Sequence, residues 1–514
     1  MSHIASTGQL ARNIFSGWAT LLVEILVAFV LTPYIIIKLG AATYGVWSLM
    51  ISVIGYLGLI DIGIRGSVGR YINHYLALKD QRAVSEVVGT STIILTLLAL
   101  LAAALAVILA TNFSTIFPKT PAELVDDIRF ALPLLAVGLW LSFISSVLAN
   151  LLVAKEALYL ANIYNLITLL VRSVAIYYVL NAGHGIPALV LVTLGASLLG
   201  NVLVWWSVKR VFVAEMPSFL LFNLARLKEM WRFGLASFAA RTSGTLANDS
   251  APIIGMWILG PEAVAIYSVA LTLTQNARRV LDQASTAIFP SVMKAGAIKD
   301  FPGLRSLYLR FMDISFAIGS LVFVGLMVFS ASFLDLWVGV EYSSGAMVIA
   351  ILAIGYLMGS TCSTGPASLA SLDRINITMW ISLGEAIACL ILTAALPGLF
   401  GLGLAGMALG STLPRLFSSC ALYPWLSIHT LGVELRAPLR RGIARNLGLT
   451  AAVAFGFWCI HSLANPTTWP GFAIAVALAT VLHLLLIGSQ YEGLPLIGPV
   501  TDRLRRLWHS TKQN

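Results

Sequence analysis

The stretch Ile93–Ala110, IILTLLALLAAALAVILA, decides the fold class. It carries no charge, Thr96 is its one polar residue, and its length matches what an α-helix needs to cross the hydrocarbon core of a bilayer. Extended to its polar borders it becomes the window 84–110. Windows of the same kind recur along the whole chain, at 13–37, 44–66, 130–153, 157–181, 186–208, 232–258, 262–290, 311–334, 344–370, 375–398, 402–427, 446–464 and 470–489, fourteen in all. Hydrophobic residues make up 59% of the 514 and charged residues 11%, whereas a soluble domain has roughly 45–50% and about 25%. The mean hydropathy of +0.90 agrees. No soluble core could bury so much apolar surface, so lipid is the solvent. The expected fold is an all-α polytopic membrane protein.

The basic residues orient the spans. With both termini on the cytoplasmic side, the inner segments hold 23 of the 32 Lys and Arg residues. The outer loops hold Lys38, Lys119 and Arg129, and the remaining six are arginines inside spans. This is the bias of the positive-inside rule, and an error of one span would scramble it. The net charge of +10 is therefore mostly an orientation signal, dispersed over short loops, and nucleic-acid binding is a poor reading of it. The N-terminal segment lacks the cleavage site of a secretory signal, so its first apolar run is expected to be retained as a helix. The tail with Arg503, Arg505 and Arg506 is expected at the anionic inner leaflet.

Residues 39–48, LGAATYGVWS, recur without gaps at 259–268 as LGPEAVAIYS, an offset of 220. Each copy follows the first span of a set of six. The chain thus reads as two six-helix lobes in a pseudo-twofold arrangement, with two extra C-terminal helices. The expected division is an N-terminal lobe over 1–210, a cytoplasmic amphipathic linker over 211–231, a C-terminal lobe over 232–430, and spans thirteen and fourteen with a cytoplasmic tail over 431–514. Even-numbered parallel repeats of this kind place the substrate between lobes that rock against each other.

The six arginines inside spans are Arg65, Arg172, Arg241, Arg278, Arg279 and Arg415. A charge at that depth is costly and marks a protein interior or wet cavity, which points to a transport path. A guanidinium stays charged at any accessible pH and grips two oxygens of a phosphate at once. Arg241 and Arg278 are the foremost candidates to line a cavity, whereas Arg65, at the inner end of span two, can also snorkel to the interface. Six acids share the spans: Glu24, Asp61, Asp249, Asp282, Asp313 and Glu385. They admit two readings. In the bland one they are buried ion pairs that fix packing, and the i, i+4 spacings of Asp61/Arg65 and Arg278/Asp282 suit it. In the functional one Glu24, Asp249 or Glu385, with Asp61 and Asp282 as further candidates, couples transport to a proton or sodium ion. Asp313, near Arg310, reads as interfacial.

Resemblance adds to this reading at the N-terminus. Arg12-Asn13-Ile14-Phe15-Ser16-Gly17-Trp18, Pro33, Leu39-Gly40, Tyr44-Gly45-Val46-Trp47-Ser48, Gly55-Tyr56-Leu57-Gly58-Leu59-Ile60-Asp61-Ile62-Gly63 and Arg70-Tyr71 together resemble the polysaccharide-biosynthesis exporters. These are the Wzx-type O-antigen flippases of the multidrug/oligosaccharidyl-lipid/polysaccharide superfamily. The resemblance implies a flippase of the plasma (inner) membrane that carries a polyprenyl-diphosphate-linked oligosaccharide from the inner to the outer leaflet for cell-surface polysaccharide synthesis. It also implies glycosyltransferases and a polysaccharide polymerase as working partners. A multidrug or organic-cation antiporter of the same superfamily is the alternative, but the arginines of spans seven and eight argue against it. A membrane-embedded polymerase or glycosyltransferase needs a sizeable loop or domain, and the longest outer loop, Thr111–Arg129, is short. A non-enzymatic role follows, with no catalytic residue, metal or cofactor expected.

Several other signals are structural. Gly401–Gly406 matches G-x-G-x-x-G but lies between two spans with no βαβ context. Gly355/Gly359 and Gly406/Gly410 are GxxxG pairs that suit close helix packing. Cys362, Cys389, Cys420 and Cys459 lie in apolar runs as small hydrophobes, and the seven histidines lack metal-ligand spacing. Pro33, Pro252, Pro366 and Pro414 mark helix bends or borders.

Overall fold

The computed structural model describes residues 7–61, 63–212, 216–361, 364–372 and 374–488. Each of the fourteen expected windows falls on helix, and there is no strand among the described residues. Cys362 and the tail arginines 503, 505 and 506 lie outside the described residues. Ten helical segments are long and apolar enough to cross a membrane by length and composition. Of the four other windows, three carry Arg241, Arg278 with Arg279, and Arg415, and the fourth contains the short apolar helix Gly345–Gly359. The protein is an all-α polytopic membrane protein, and its chain divides into two units, Met1–Ala265 and Ile266–Asn514.

The first unit holds α1 (Thr7–Leu39), α2 (Ala41–Leu57), α3 (Ile64–Ala77), α4 (Gln81–Thr111), the single turn α5 (Phe113–Ile116), α6 (Val125–Ala154), α7 (Leu158–Asn181), α8 (Ile186–Val211), α9 (Leu224–Ile258) and the start of α10 (Pro261–Ala297). Alanines 99, 102, 106 and 110 line the buried stripe of α4. Their small side chains let α6 pack closely, which is how helices associate where lipid removes the hydrophobic drive between them. Phe143, Val147 and Leu151 of α6 fill one part of the core, and Ile128 and Leu132 of the same helix fill another with Leu49 and Met50 of α2. The two repeat copies share one local device. Gly40 between α1 and α2 has φ +81°, and Gly260 between α9 and α10 has φ +104°, a backbone region that glycine enters without steric cost.

Helix α9 was expected to open the C-terminal lobe at residue 232. It starts eight residues earlier, at Leu224, and packs on α2, α3 and α4 of the first unit. The preceding segment runs along α4: the Ser218 N–H donates to Ser85 Oγ at 3.2 Å, and the Asn223 N–H to Thr90 Oγ1 at 2.9 Å. A Cβ on Gly89 would meet the Leu221 carbonyl oxygen at 2.5 Å, so this segment fits only against a bare backbone. Arg226 then donates to Glu86 at 3.1 Å and to Glu229 at 3.2 Å, while the Tyr75 hydroxyl donates to Glu229 at 2.9 Å. Burial opposes the charge of Arg226, but these bonds hold its pKa above the ordinary guanidinium value.

The second unit holds the rest of α10, α11 (Phe301–Gly319), α12 (Gly325–Trp337), α13 (Gly345–Thr361), α14 (Thr364–Ser371), α15 (Ile375–Gly398), α16 (Gly403–Phe417), α17 (Tyr423–Leu431), α18 (Arg436–Ala464) and α19 (Trp469–Gly488). Helices α11 and α12 are joined by a widened π turn, Ser320–Val324, and α16 and α17 by another, Ser418–Leu422, so each pair forms one continuous rod. The GxxxG pairs pack as expected. Cβ atoms on Gly406 and Gly410 would meet the α15 backbone at 2.8 and 2.4 Å, and one on Gly355 would meet Thr412 of α16 at 2.9 Å. The last two helices dock through polar pins. His483 meets Ser320 at 2.9 Å and His461 meets Ser332 at 2.9 Å. Asp313, read from sequence as interfacial beside Arg310, accepts instead from Arg445 of α18.

Candidate functional site

The break between α2 and α3 builds the first polar cluster. After Leu57 a single 3-10 turn, Gly58–Asp61, tightens the chain, and Gly63 takes φ +79° before α3 begins. A Cβ at Gly63 would lie 2.1 Å from the Gly234 carbonyl oxygen, so only glycine lets α9 cross here. The turn leaves Asp61 fully buried. Its Oδ1 accepts the Gly63 N–H at 3.0 Å, which locks the turn. Its Oδ2 accepts from two guanidiniums, Arg65 on α3 and Arg241 on α9, the latter at 3.4 Å. Arg65 also lies over the Phe143 ring, 4.6 Å from its centroid. One carboxylate thus serves two arginines, and the cluster carries a formal surplus of one positive charge.

The other intramembrane charges of this unit separate from that cluster. The Glu24 carboxylate of α1 interacts electrostatically with Arg172 of α7, two helices that pack together. Asp249 stands in the C-terminal third of α9 with its carboxylate against Gly55, where a Cβ would lie 2.9 Å from Oδ2. Tyr56 and Ser250, the neighbours of these two residues, join their hydroxyls beside it. Among the described residues Asp249 has no ion pair.

The second unit carries a cluster of its own. The guanidiniums of Arg415 and Arg278 lie 4.5 and 5.4 Å from the Tyr356 ring centroid. Arg415, buried on α16, stands 3.8 Å from Glu385 of α15, whose other oxygen accepts from Ser418 in the π turn. Arg278 pairs with Asp282 one helical turn on, at 3.3 Å. Arg279, adjacent to Arg278, is the more exposed of the two, as the roughly 100° step between neighbours on a helix requires. This cluster balances two arginines with two acids.

The spacing had indicated the Asp61/Arg65 and Arg278/Asp282 pairs. It had not indicated Tyr356 or Phe143, because an aromatic in an apolar run looks the same whether it faces lipid or a guanidinium. Nor had it linked Arg241 to Asp61, 180 residues apart. The one available hint was the glycine-flanked acid in Gly58–Gly63.

Known proteins place this architecture. The sequence model of the family described as "Polysaccharide biosynthesis protein" matches residues 10–295. A Shigella flexneri protein named "Putative O-antigen transporter" is 23% identical over 406 residues, covering 76% of this chain and 90% of that protein. Among solved structures, the lipid II flippase MurJ in an inward closed conformation aligns with a TM-score of 0.70 at 11% identity, over 91% of this chain and 97% of that one. An inward-facing multidrug resistance MATE family transporter of the MOP superfamily aligns with a TM-score of 0.64 at 14% identity, over 80% and 95%. The fold is shared with both, and the match over more than half of the sequence makes this chain a member of the polysaccharide biosynthesis protein family.

Proposed function

We propose that this protein is a flippase that moves a polyprenyl-diphosphate-linked oligosaccharide from the inner to the outer leaflet of the plasma membrane, for cell-surface polysaccharide synthesis. It acts by alternating access, with both termini cytoplasmic, beside the glycosyltransferases that build its substrate and the polymerase that consumes it. It is a transporter and not an enzyme. The observation that carries the reading is the surplus positive charge at Asp61, Arg65 and Arg241, held at a glycine crossing. Excess guanidinium charge in a low-dielectric setting suits a diphosphate and disfavours an organic cation. The family and the O-antigen relative support the same substrate class.

Coupling is assigned to a proton or sodium ion taken up at Asp249. Glu24, Asp61, Asp282 and Glu385 each have an arginine partner, whereas Asp249 has no ion pair among the described residues. Asp249→Asn should therefore abolish the dependence of transport on the ion gradient while slow, gradient-independent exchange persists. Unchanged gradient dependence would remove Asp249 from the role.

Deleting the gene and measuring polyprenyl-diphosphate-linked oligosaccharide by leaflet tests the main proposal. Accumulation confined to the inner leaflet is expected. No accumulation, in cells that normally express the protein and lack a substituting flippase, would shift the assignment to an antiporter.

A further inference from the structure

Asp61 sits where its charge is shared unequally. Arg65 is held twice, by the Asp61 oxygen and by the Phe143 ring, and its side chain is 17% exposed. Arg241 reaches the same oxygen at 3.4 Å and is 37% exposed. The two guanidiniums repel each other. Asp61 itself cannot follow Arg241 outward, because its other oxygen is tied to the Gly63 amide and its side chain is fully buried. The geometry therefore separates a fixed pair, Asp61–Arg65, from a loosely held partner, Arg241.

Resting on the flippase reading, we infer that Asp61 is a positioning residue that competes with the substrate diphosphate for Arg241. Arg241 rests on Asp61 at a long, partly exposed contact. When a diphosphate arrives, Arg241 turns its fork to the phosphate oxygens, and the Asp61 charge stays compensated by Arg65. No charge is left bare at any step, so the exchange avoids the large penalty of an unpaired buried carboxylate. On the far side the buried carboxylate draws Arg241 back and helps to release the lipid. Tight binding to two unopposed cations would trap the substrate, whereas a shared anion keeps the arginine exchangeable. The fixed turn at Gly63 and the α9 crossing at Gly234 place Asp61 within reach of Arg241.

The test is binding of undecaprenyl diphosphate to the purified full-length protein in nanodiscs, paired with export measured in cells. Asp61→Asn removes the competitor, so the affinity for the diphosphate lipid should rise about threefold or more, the scale of a partly exposed ion pair, while the export rate falls. A purely structural role would lower export without tightening binding. Asp61→Glu keeps the charge and should restore both values toward wild type. If Asp61→Asn binds no tighter than wild type, the competition is refuted while the flippase reading stands. If the wild-type protein does not bind the diphosphate lipid at all, the flippase reading fails and this inference with it. Where Asp61→Asn does not reach the membrane, Arg65→Gln replaces it. That variant gives the whole carboxylate to Arg241 and should weaken binding, and unchanged binding would refute the proposal.

Discussion

At the scale of single residues, the intramembrane charges are best understood by their local sums. The six arginines and the six acids singled out inside the spans sum to zero. The structure redistributes that zero. Asp61 accepts from both Arg65 and Arg241, Arg172 interacts with Glu24, and Arg415 and Arg278 each have their own acid. Asp313 is taken by Arg445 from outside the six, and among the described residues positive charge is left over around Asp61 while Asp249 has no ion pair. Arg241→Ala should therefore abolish glycan export while leaving membrane insertion intact, checked by surface glycan and by the amount of protein in the membrane fraction. Arg278→Ala should do the same, because its exposed pairing with Asp282 leaves the guanidinium free to exchange. Normal export by both variants would sink the phosphate-binding role. The identity of these residues was legible in the sequence because charge inside an apolar run is conspicuous. The sharing of Asp61 was not, since nothing local to Arg241 refers to residue 61.

At the scale of elements, glycine decides which helices can touch. Apolar side chains are no better solvated by each other than by lipid, so helix pairs in a membrane are held by close van der Waals packing. The crossing of α15 and α16 depends on Gly406 and Gly410, with Gly410 directly over the Thr393 backbone. Gly410→Val should force the two helices apart, costing about 1–3 kcal/mol as for other overpacked contacts. The expected readout is a lower melting temperature in detergent, with Gly448→Ala as a control at an open helix position. These GxxxG pairs were readable from spacing alone. The N-terminal extension of α9 was not. Residues 224–231 alternate apolar and basic, which suits a helix lying on the membrane surface equally well. What fixes them is the cage of Glu86, Glu229 and Tyr75 around Arg226, three groups brought from α3, α4 and the next turn of α9.

At the scale of the whole molecule, the distribution of basic residues makes a topology prediction independent of any site. Reporter fusions after Lys155 and Lys299 should signal from the cytoplasm, and those after Phe117 and Glu341 from the outer side. A fusion that reverses one of these assignments would break the span count. All four positions lie in turns or short connections between the long helices, where a fusion leaves those helices whole.

The sequence by itself determined the solvent, the number and order of helical windows, and the identity of the polar residues among them. Each of these depends on a local quantity, the hydropathy and charge of about twenty consecutive residues. Tertiary structure alone decided which charges share a partner, which unit α9 packs into, and where Asp313 finds its arginine. Those outcomes depend on how far two helices can approach and turn toward each other. That is set by bare backbone at Gly63, Gly89 and Gly234 against residues far away in the chain, and a pattern read along one helix carries no record of it.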